Sequence, residues 1–502
     1  MDKKAQLKRL IMIIVISLVV FFIGKFLFQY VNSGTLSVKA SGNGSITIVV
    51  KDKDGKEVVK SQTNEVKKRL YKGVYVIEVF NDKDGKSRAS ATVIARQTTE
   101  QSLEIVDPLS PLLTSRVPAS EINEAQNGAY FLQSNSHLLR KYEKKSLSQP
   151  AIQTNLQLVS KIDLDKGGKG YIMTSGRLIY KVDNNKTANI RDTLLSDIKT
   201  LDTPRDIDYS PESGELFVSA GKNVYRVAVG AKRAEYIFTA PWPISKIAYS
   251  SKGNLLLSQY PEESNSGNEE YGDPVVEKYS VSLLDTQSKK LTEIDKQPLL
   301  QSVDWSPSGR FLAYSVGGSL KVYDSLNNTY VRDLFLDNKI PSATSWCSDN
   351  KLIYSDGSGV WAYNSKKDQY SALLAKLSNV KALSCDNQET IYVGTYKQPR
   401  SGGLYRLATL DQSDKDLVNN LNSASPFYGD KMMLDYVQTG DNKPTVVVKI
   451  FMPRDLLHVK KGQKGYLSAV VIRNQAKEEA KQYLNSHNIK PESVNMVYLV
   501  NY

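Results

Sequence analysis

Two stretches of this chain lie over one another without a gap. Ile162–Val182 (IDLDKGGKGYIMTSGRLIYKV) matches Ile207–Val227 (IDYSPESGELFVSAGKNVYRV) about 45 residues later. Ile-Asp opens both, Gly176 and Gly221 sit mid-way, and Tyr-basic-Val closes both. A period of about 40–45 residues built from short apolar runs describes one supersecondary unit copied many times. Such a unit cannot bury its own faces, so the copies must pack on one another.

The copies continue along the chain. DYSPESG at Asp208, AYSSKG at Ala248 and DWSPSG at Asp304 are turns, each followed by an apolar run (ELFVSA, NLLLSQ, RFLAYS). Fainter copies start near Ile122, Ala343 and Val380. Tyr209, Tyr249, Trp305 and Trp346 recur at steps of 40, 56 and 41, the long step reflecting an insertion, Pro261–Pro274. Short strands with tight turns in each copy predict a seven-bladed β-propeller over 121–410. The WSPSG-type turn resembles the WD-repeat and Tol-associated propeller families. That resemblance implies a rigid ring used to bind peptides, proteins or glycans, and leaves function to the site.

The segment Leu10–Val31 is apolar over about 22 residues, enough to cross a bilayer as a helix. Lys25, its one charge, lies near the far end and can snorkel. Lys3, Lys4, Lys8 and Arg9 precede it, which predicts a cytoplasmic tail (1–9), a transmembrane anchor (10–31) and an extracytoplasmic remainder. A cleaved signal peptide fits less well, because the span is long and no Ala-x-Ala site follows Phe28.

Residues 34–105 alternate apolar and polar positions, as half-buried strands do. Asp54-Gly55 and Asp84-Gly85 each separate two such runs and predict tight hairpins with both turn positions at positive φ. GTLSVKASGNGSITIVV and LYKGVYVIEVF resemble the opening and closing strands of the PEGA family, which implies a small extracytoplasmic β-sandwich serving as a spacer or wall-side module. An EF-hand reading stops at Val50, where the first ligand would stand. Residues 106–120, with Pro108, Pro111 and Pro118, read as a semi-stiff linker.

Beyond a polar linker (411–424), residues 425–502 read as a small α+β domain. PTVVVKIFMP and YLSAVVIRN read as strands, Ala476–Asn488 as an amphipathic helix, and Val494–Val500 as a closing strand. The fold class expected is thus mainly β: transmembrane helix, β-sandwich, propeller and α+β domain.

Chemistry is sparse. No G-x-S-x-G elbow exists, and DKGGKG at Asp165 lacks the Lys-Ser/Thr of a phosphate loop and aligns with a hairpin turn. His137, His458 and His487 fall in different regions, and paired carboxylates cannot be picked out among scattered acids. No catalytic residue, metal ligand or cofactor is assigned, and the chain is expected not to be an enzyme. Cys347 and Cys385 occupy equivalent turns of neighbouring copies. A disulfide is permitted outside the membrane, but two separately buried thiols are the preferred expectation. The net charge of +13 is spread out, with no recognition helix or basic arm, so nucleic acid is not an expected partner. Candidate partner-binding residues are the acids of the insertion (Glu262, Glu263, Glu269 and Glu270) and the loop lysines Lys460, Lys461 and Lys464. The expected function is an extracytoplasmic binding or scaffold protein of the cell envelope, held by a single-pass anchor, with an envelope protein or anionic wall polymer as partner. The alternatives are a propeller enzyme acting on a saccharide or peptide in its channel, and a purely structural spacer.

Overall fold

The computed structural model describes residues 3–143, 150–154, 156–183, 186–190, 195, 203–260, 279–296, 300–316, 318–335, 341–365, 370–386, 389–397, 401–437 and 444–501. The chain is mainly β and divides into two compact units. One comprises 1–108 with 361–374, the other 109–360 with 375–502.

The first unit opens with the helix Lys3–Val31. Within it Ile14–Val31 has a mean hydropathy of 2.2, so this helix is long and apolar enough to cross a membrane. Two sheets follow. In one, Ser33–Ser41 lies between Glu65–Tyr71, antiparallel, and Thr98–Glu104, parallel. In the other, the order is Glu57–Ser61, Ile46–Lys51, Gly73–Asn81, Lys86–Val93. Their inner faces share a core of Leu36, Val38, Ile48, Val50, Ile77, Val79 and Leu103. The alternation that marked these strands in the sequence is the alternation of that core with solvent. Ser371–Ala375 adds to this unit at the Lys86–Val93 edge, pairing Ser371 with Arg88 and Ala372 with Ser87. The Arg88 guanidinium lies 4.0 Å from the centre of the Trp361 ring.

Both Asp-Gly hairpins form, but with longer turns than the two-residue type expected. In the first, only Gly55 is left-handed (φ 77°), and Asp52 Oδ1 accepts from the amides of Asp54 and Lys56 at 3.0 Å. In the second, Asp84 is the left-handed residue (φ 68°), and Asn81 Oδ1 accepts from Gly85 N at 2.8 Å. A side-chain acceptor at the turn entry closes each loop, so a second positive φ is not needed.

The second unit carries the repeats as antiparallel sheets, each four-stranded except the one that holds Ala343–Ser348, which is part of an eight-stranded sheet. Their innermost strands are Ala119–Ala125, Val159–Leu164, Pro204–Ser210, Ile244–Tyr249, Val303–Trp305, Ala343–Ser348 and Val380–Cys385. Each innermost strand packs against the next, and Val380–Cys385 packs against Ala119–Ala125. Apolar clusters fill the spaces between neighbours. Ile162 and Val182 meet Leu132 and Leu139, while Ile207 and Val218 meet Tyr171 and Ile179. Ile122 and Phe131 of the first sheet meet Tyr392 and Leu404 of the last. The last sheet takes its outer strand from Ser110–Ser115, which pairs antiparallel with Ser401–Ala408. The segment read as a linker therefore holds a sheet strand; three prolines obscured it because an outer strand tolerates Pro on its open side.

Two further expectations are corrected in the last 90 residues. The polar stretch after Asp411 is an α-helix, Gln412–Ala424, whose first turn is capped by Asp411 Oδ1 accepting from Asp414 N at 2.9 Å. YLSAVVIRN is not a strand but the first half of one long helix, Tyr466–Ser486. Its β-branched run reads as strand locally, yet Ala469, Ala476, Ala480 and Leu484 are buried on one side at helical spacing. The helix covers a sheet ordered Phe427–Tyr428, Met432–Val437, Thr445–Phe451, Asn495–Asn501, the last pair being parallel.

Cys347 and Cys385 are joined in a disulfide with Cα atoms 4.9 Å apart, which replaces the expectation of two separate thiols. Neighbouring innermost strands bring equivalent positions together, and sequence spacing cannot display that proximity. Replacing both cysteines by serine should cost about 3 kcal/mol and lower the thermal midpoint of the repeat region by about 5–10 °C. Calorimetry on the double variant checks this. An unchanged midpoint, together with two titratable thiols in the unreduced parent protein, would contradict the pairing.

Candidate functional site

The innermost strands place charged side chains along one lining, in two layers. Glu121, Lys161, Asp206 and Lys246 take the same strand position in successive sheets, so acid and base alternate. Two residues further along each strand stand Asn123, Asp163, Asp208 and Ala248, joined by Asp304 of the fifth sheet. Small or apolar residues would serve a simple core better, because burying charge is expensive unless it is paired.

Each carboxylate is held by the neighbouring strand. Glu121 Oε2 accepts from Ile162 N at 3.0 Å, and Asp206 Oδ2 accepts from Ile247 N at 2.9 Å. In the second layer Asp163 accepts from Tyr209 N, Asp208 from Tyr249 N, and Asp304 from Trp346 N at 2.8 Å. The pattern is the same throughout: a side chain of one sheet satisfies a backbone amide of the next. Lys161 Nζ donates to Asp206 Oδ1 at 2.8 Å, and Lys246 Nζ to the Gln301 carbonyl at 2.9 Å. The Trp305 indole donates to the Ala248 carbonyl at 2.9 Å. Asn123 Oδ1 is buried and lacks a protein partner.

This crowding displaces the acids from their ordinary behaviour. Burial pushes Glu121 up to about 7, against the pull of Lys161 and the Ile162 amide. Burial likewise pushes Asp304 up to about 7, against the Trp346 amide. The carboxyl groups of Asp163 and Asp208 hydrogen-bond to one another. Asp163 is raised to about 6 by burial, and Asp208 is raised by burial and by the Asp163 charge. Two carboxylates so paired cannot both ionise cheaply. For Lys161 burial works against the charge, but Asp206, Asp208, Glu121 and Asp163 together outweigh it and raise the ammonium above its usual range. Lys246 is lowered by burial and by Lys161. A carboxyl pair raised in this way beside an ammonium can bind a cationic group, or can give and take a proton near neutral pH.

The residues singled out from sequence lie elsewhere. Glu262, Glu263, Glu269 and Glu270 fall outside the described residues. Lys460, Lys461 and Lys464 share one exposed turn, closed by Lys460 N donating to Gln463 Oε1 at 2.8 Å, ahead of the helix Tyr466–Ser486. Sequence reasoning missed the lining acids, although Asp208 and Asp304 stood inside the turn motifs. The signal that could have found them was positional: Ile162-Asp163 over Ile207-Asp208 marks one lining site repeated.

These acids tie stability to pH. A carboxyl raised in the fold keeps a proton that the unfolded chain releases near 3.8. Its contribution is complete below that value and is lost as pH rises through about 7. Asp304→Asn keeps an acceptor for Trp346 N without the charge. It should leave stability at pH 4.5 nearly unchanged and raise it at pH 8 by roughly 1–2 kcal/mol, a figure reduced because solvent reaches this partly exposed side chain. Denaturant melts at the two pH values check this; equal effects at both would show that Asp304 ionises normally.

No family model matches the chain, and no curated protein matches it. Solved structures are similar in fold. Kuenenia stuttgartiensis hydrazine synthase matches at 13% identity and a TM-score of 0.44, over 58% of this chain and 96% of that one. The WD40 β-propeller domain of Doa1 matches at 8% and 0.43, over 61% and 98%. The extracellular domain of BT4673 from B. thetaiotaomicron matches at 11% and 0.44, over 74% of this chain and 51% of that one. At these values the likeness is one of fold only. The expectation that the chain is not an enzyme is corrected: an enzyme, hydrazine synthase, is among the similar structures.

Proposed function

We propose that the chain is a membrane-anchored extracytoplasmic protein of the cell envelope, with a PEGA-type sandwich followed by a closed seven-bladed propeller whose channel takes a cationic group of a partner. The apolar helix Ile14–Val31 and the basic residues before it support the anchor and its orientation. The core shared by the first and last sheets supports closure. The observation that carries the binding role is the channel lining. Five carboxyl groups (Glu121, Asp163, Asp206, Asp208 and Asp304) share the lining with two ammonium groups (Lys161 and Lys246), and Asp163, Asp208 and Asp304 are only partly covered. An acidic excess in a narrow, partly dry space favours a positive ligand group. A lysine side chain presented by an envelope protein fits that chemistry. The anionic wall polymer considered from net charge fits the exposed Lys460, Lys461 and Lys464 turn better than the channel.

A second reading is catalysis in the channel on a saccharide or peptide, favoured by the raised carboxyl pair of Asp163 and Asp208.

Retention of envelope proteins by immobilised 34–502, compared with the Asp163→Asn/Asp208→Asn variant, tests the binding role. The expected result is a partner lost at least tenfold with the variant and weakened by salt. A partner retained equally by both proteins would place binding away from the channel. For topology, protease added to spheroplasts should cleave the repeat region; protection of that region with digestion of the first residues would reverse the orientation.

A further inference from the structure

The strand Asn495–Asn501 ends its sheet. It pairs in parallel with Thr445–Phe451 on one side, and among the described residues no strand pairs with its other side. Proteins guard such edges with lysine, proline, a bulge or a very short strand. The opposite edge of this sheet is guarded in that way, since Phe427–Tyr428 is only two residues long. Asn495–Asn501 has none of these devices. Its seven residues, NMVYLVN, contain no charge and no proline, and the register with Thr445–Phe451 runs without a bulge. Leu499 and Val500 are 44% and 39% exposed.

The sequence of this edge is nearly the same read in either direction. About Tyr498, Asn495 mirrors Asn501, Met496 mirrors Val500, and Val497 mirrors Leu499. An isologous two-fold contact needs this property, because every residue must accept its mirror partner from the other copy. We propose that the edge strand Asn495–Asn501 pairs antiparallel with the same strand of a second copy, with Tyr498 on the two-fold axis, making one continuous eight-stranded sheet.

The faces agree with this register. Met496 and Tyr498 pack towards the helix Tyr466–Ser486, and Val497 and Leu499 point to the other side. In the proposed register Met496 meets Val500 of the second copy on the helix side. Val497 meets Leu499 on the open side, and Asn495 takes Asn501 as its partner at each end, all like with like. A slip of one residue would send the two helices to opposite faces, and a slip of two would set Val497 against Asn501. Apolar pairs inside and asparagine pairs at both ends thus specify one register and one occupant.

The test uses the full chain in detergent. Because Cys347 and Cys385 are joined, Tyr498→Cys supplies a single free thiol. Directly opposed residues of an antiparallel pair have Cα atoms about 4.5–5.5 Å apart, within disulfide range. Mild oxidation should convert most of this variant to a covalent dimer, at least tenfold more than Leu467→Cys, a control on the exposed face of the helix (79% exposed). Equal yields from the two variants would overturn the proposal. Light scattering gives a second readout that does not touch Tyr498. Leu499→Glu should halve the protein mass of the particle. Val497→Lys added to it should restore the dimer, since the introduced ammonium then faces the introduced carboxylate of the other copy. A parent chain that is monomeric at micromolar concentration, or a Leu499→Glu variant that stays dimeric, would also overturn it.

Discussion

The repeat region depends on one recurring contact, a carboxylate of one innermost strand accepting the backbone amide of the next. Glu121 to Ile162, Asp206 to Ile247 and Asp304 to Trp346 are three instances, all between 2.8 and 3.0 Å. Sheets that meet only through apolar side chains can slide, because the hydrophobic effect is non-directional. A charge-assisted hydrogen bond fixes height and angle as well. It also consumes an amide that faces the lining and has no partner in its own sheet, so spacing and satisfaction are solved together.

The same contact makes the lining chemically unusual. Acids recruited to join sheets must converge where the sheets converge, and there they crowd. Asp163 and Asp208 are both raised above the usual carboxylate range, by burial first and for Asp208 also by the Asp163 charge, because the geometry of joining leaves them side by side. Lys161 answers part of this excess and Lys246 answers less, being itself pushed towards the neutral form. A lining that holds neighbouring sheets together is thereby also a titratable surface. Structural and functional demands on these residues cannot be separated by substitution to alanine, which removes both; the asparagine exchanges keep the acceptor and remove only the charge.

What the sequence made legible follows from how local each signal is. The hairpins at Asp54-Gly55 and Asp84-Gly85 and the turns after Asp208 and Asp304 are set within a few residues, and they stand where expected. The helix Tyr466–Ser486 was half hidden, because Val470, Val471 and Ile472 favour a strand locally while burial of Ala469, Ala476 and Ala480 is decided by a sheet built partly from residues on either side of it. Asp411 as a cap was readable in principle, but a helix with only Val418, Leu421 and Ala424 buried presents a weak apolar stripe. The carboxyl pair could not be found by spacing within a motif, since Asp163 and Asp208 are 45 residues apart and meet only when two repeats stand side by side. The outer strand Ser110–Ser115 was least legible of all: its partner lies almost the whole repeat region away.

That last pairing bears on how the chain can be made. Thr114 Oγ1 reaches the Leu404 carbonyl across 290 residues. During synthesis Ser110–Ser115 emerges before any of the meanders, and its partner Ser401–Ala408 emerges after nearly all of them. The intervening sheets can form in order as they appear, but the final sheet must wait for both ends, and the loop between them has to close before that contact returns any stabilisation. A nascent or truncated chain that stops short of Ser401 therefore carries an apolar strand edge with nothing to pair it, the kind of species that chaperones and proteases recognise. Completion of the last sheet acts as a length check: only a chain translated through Ala408 can pair the whole of the strand that opens its repeat region.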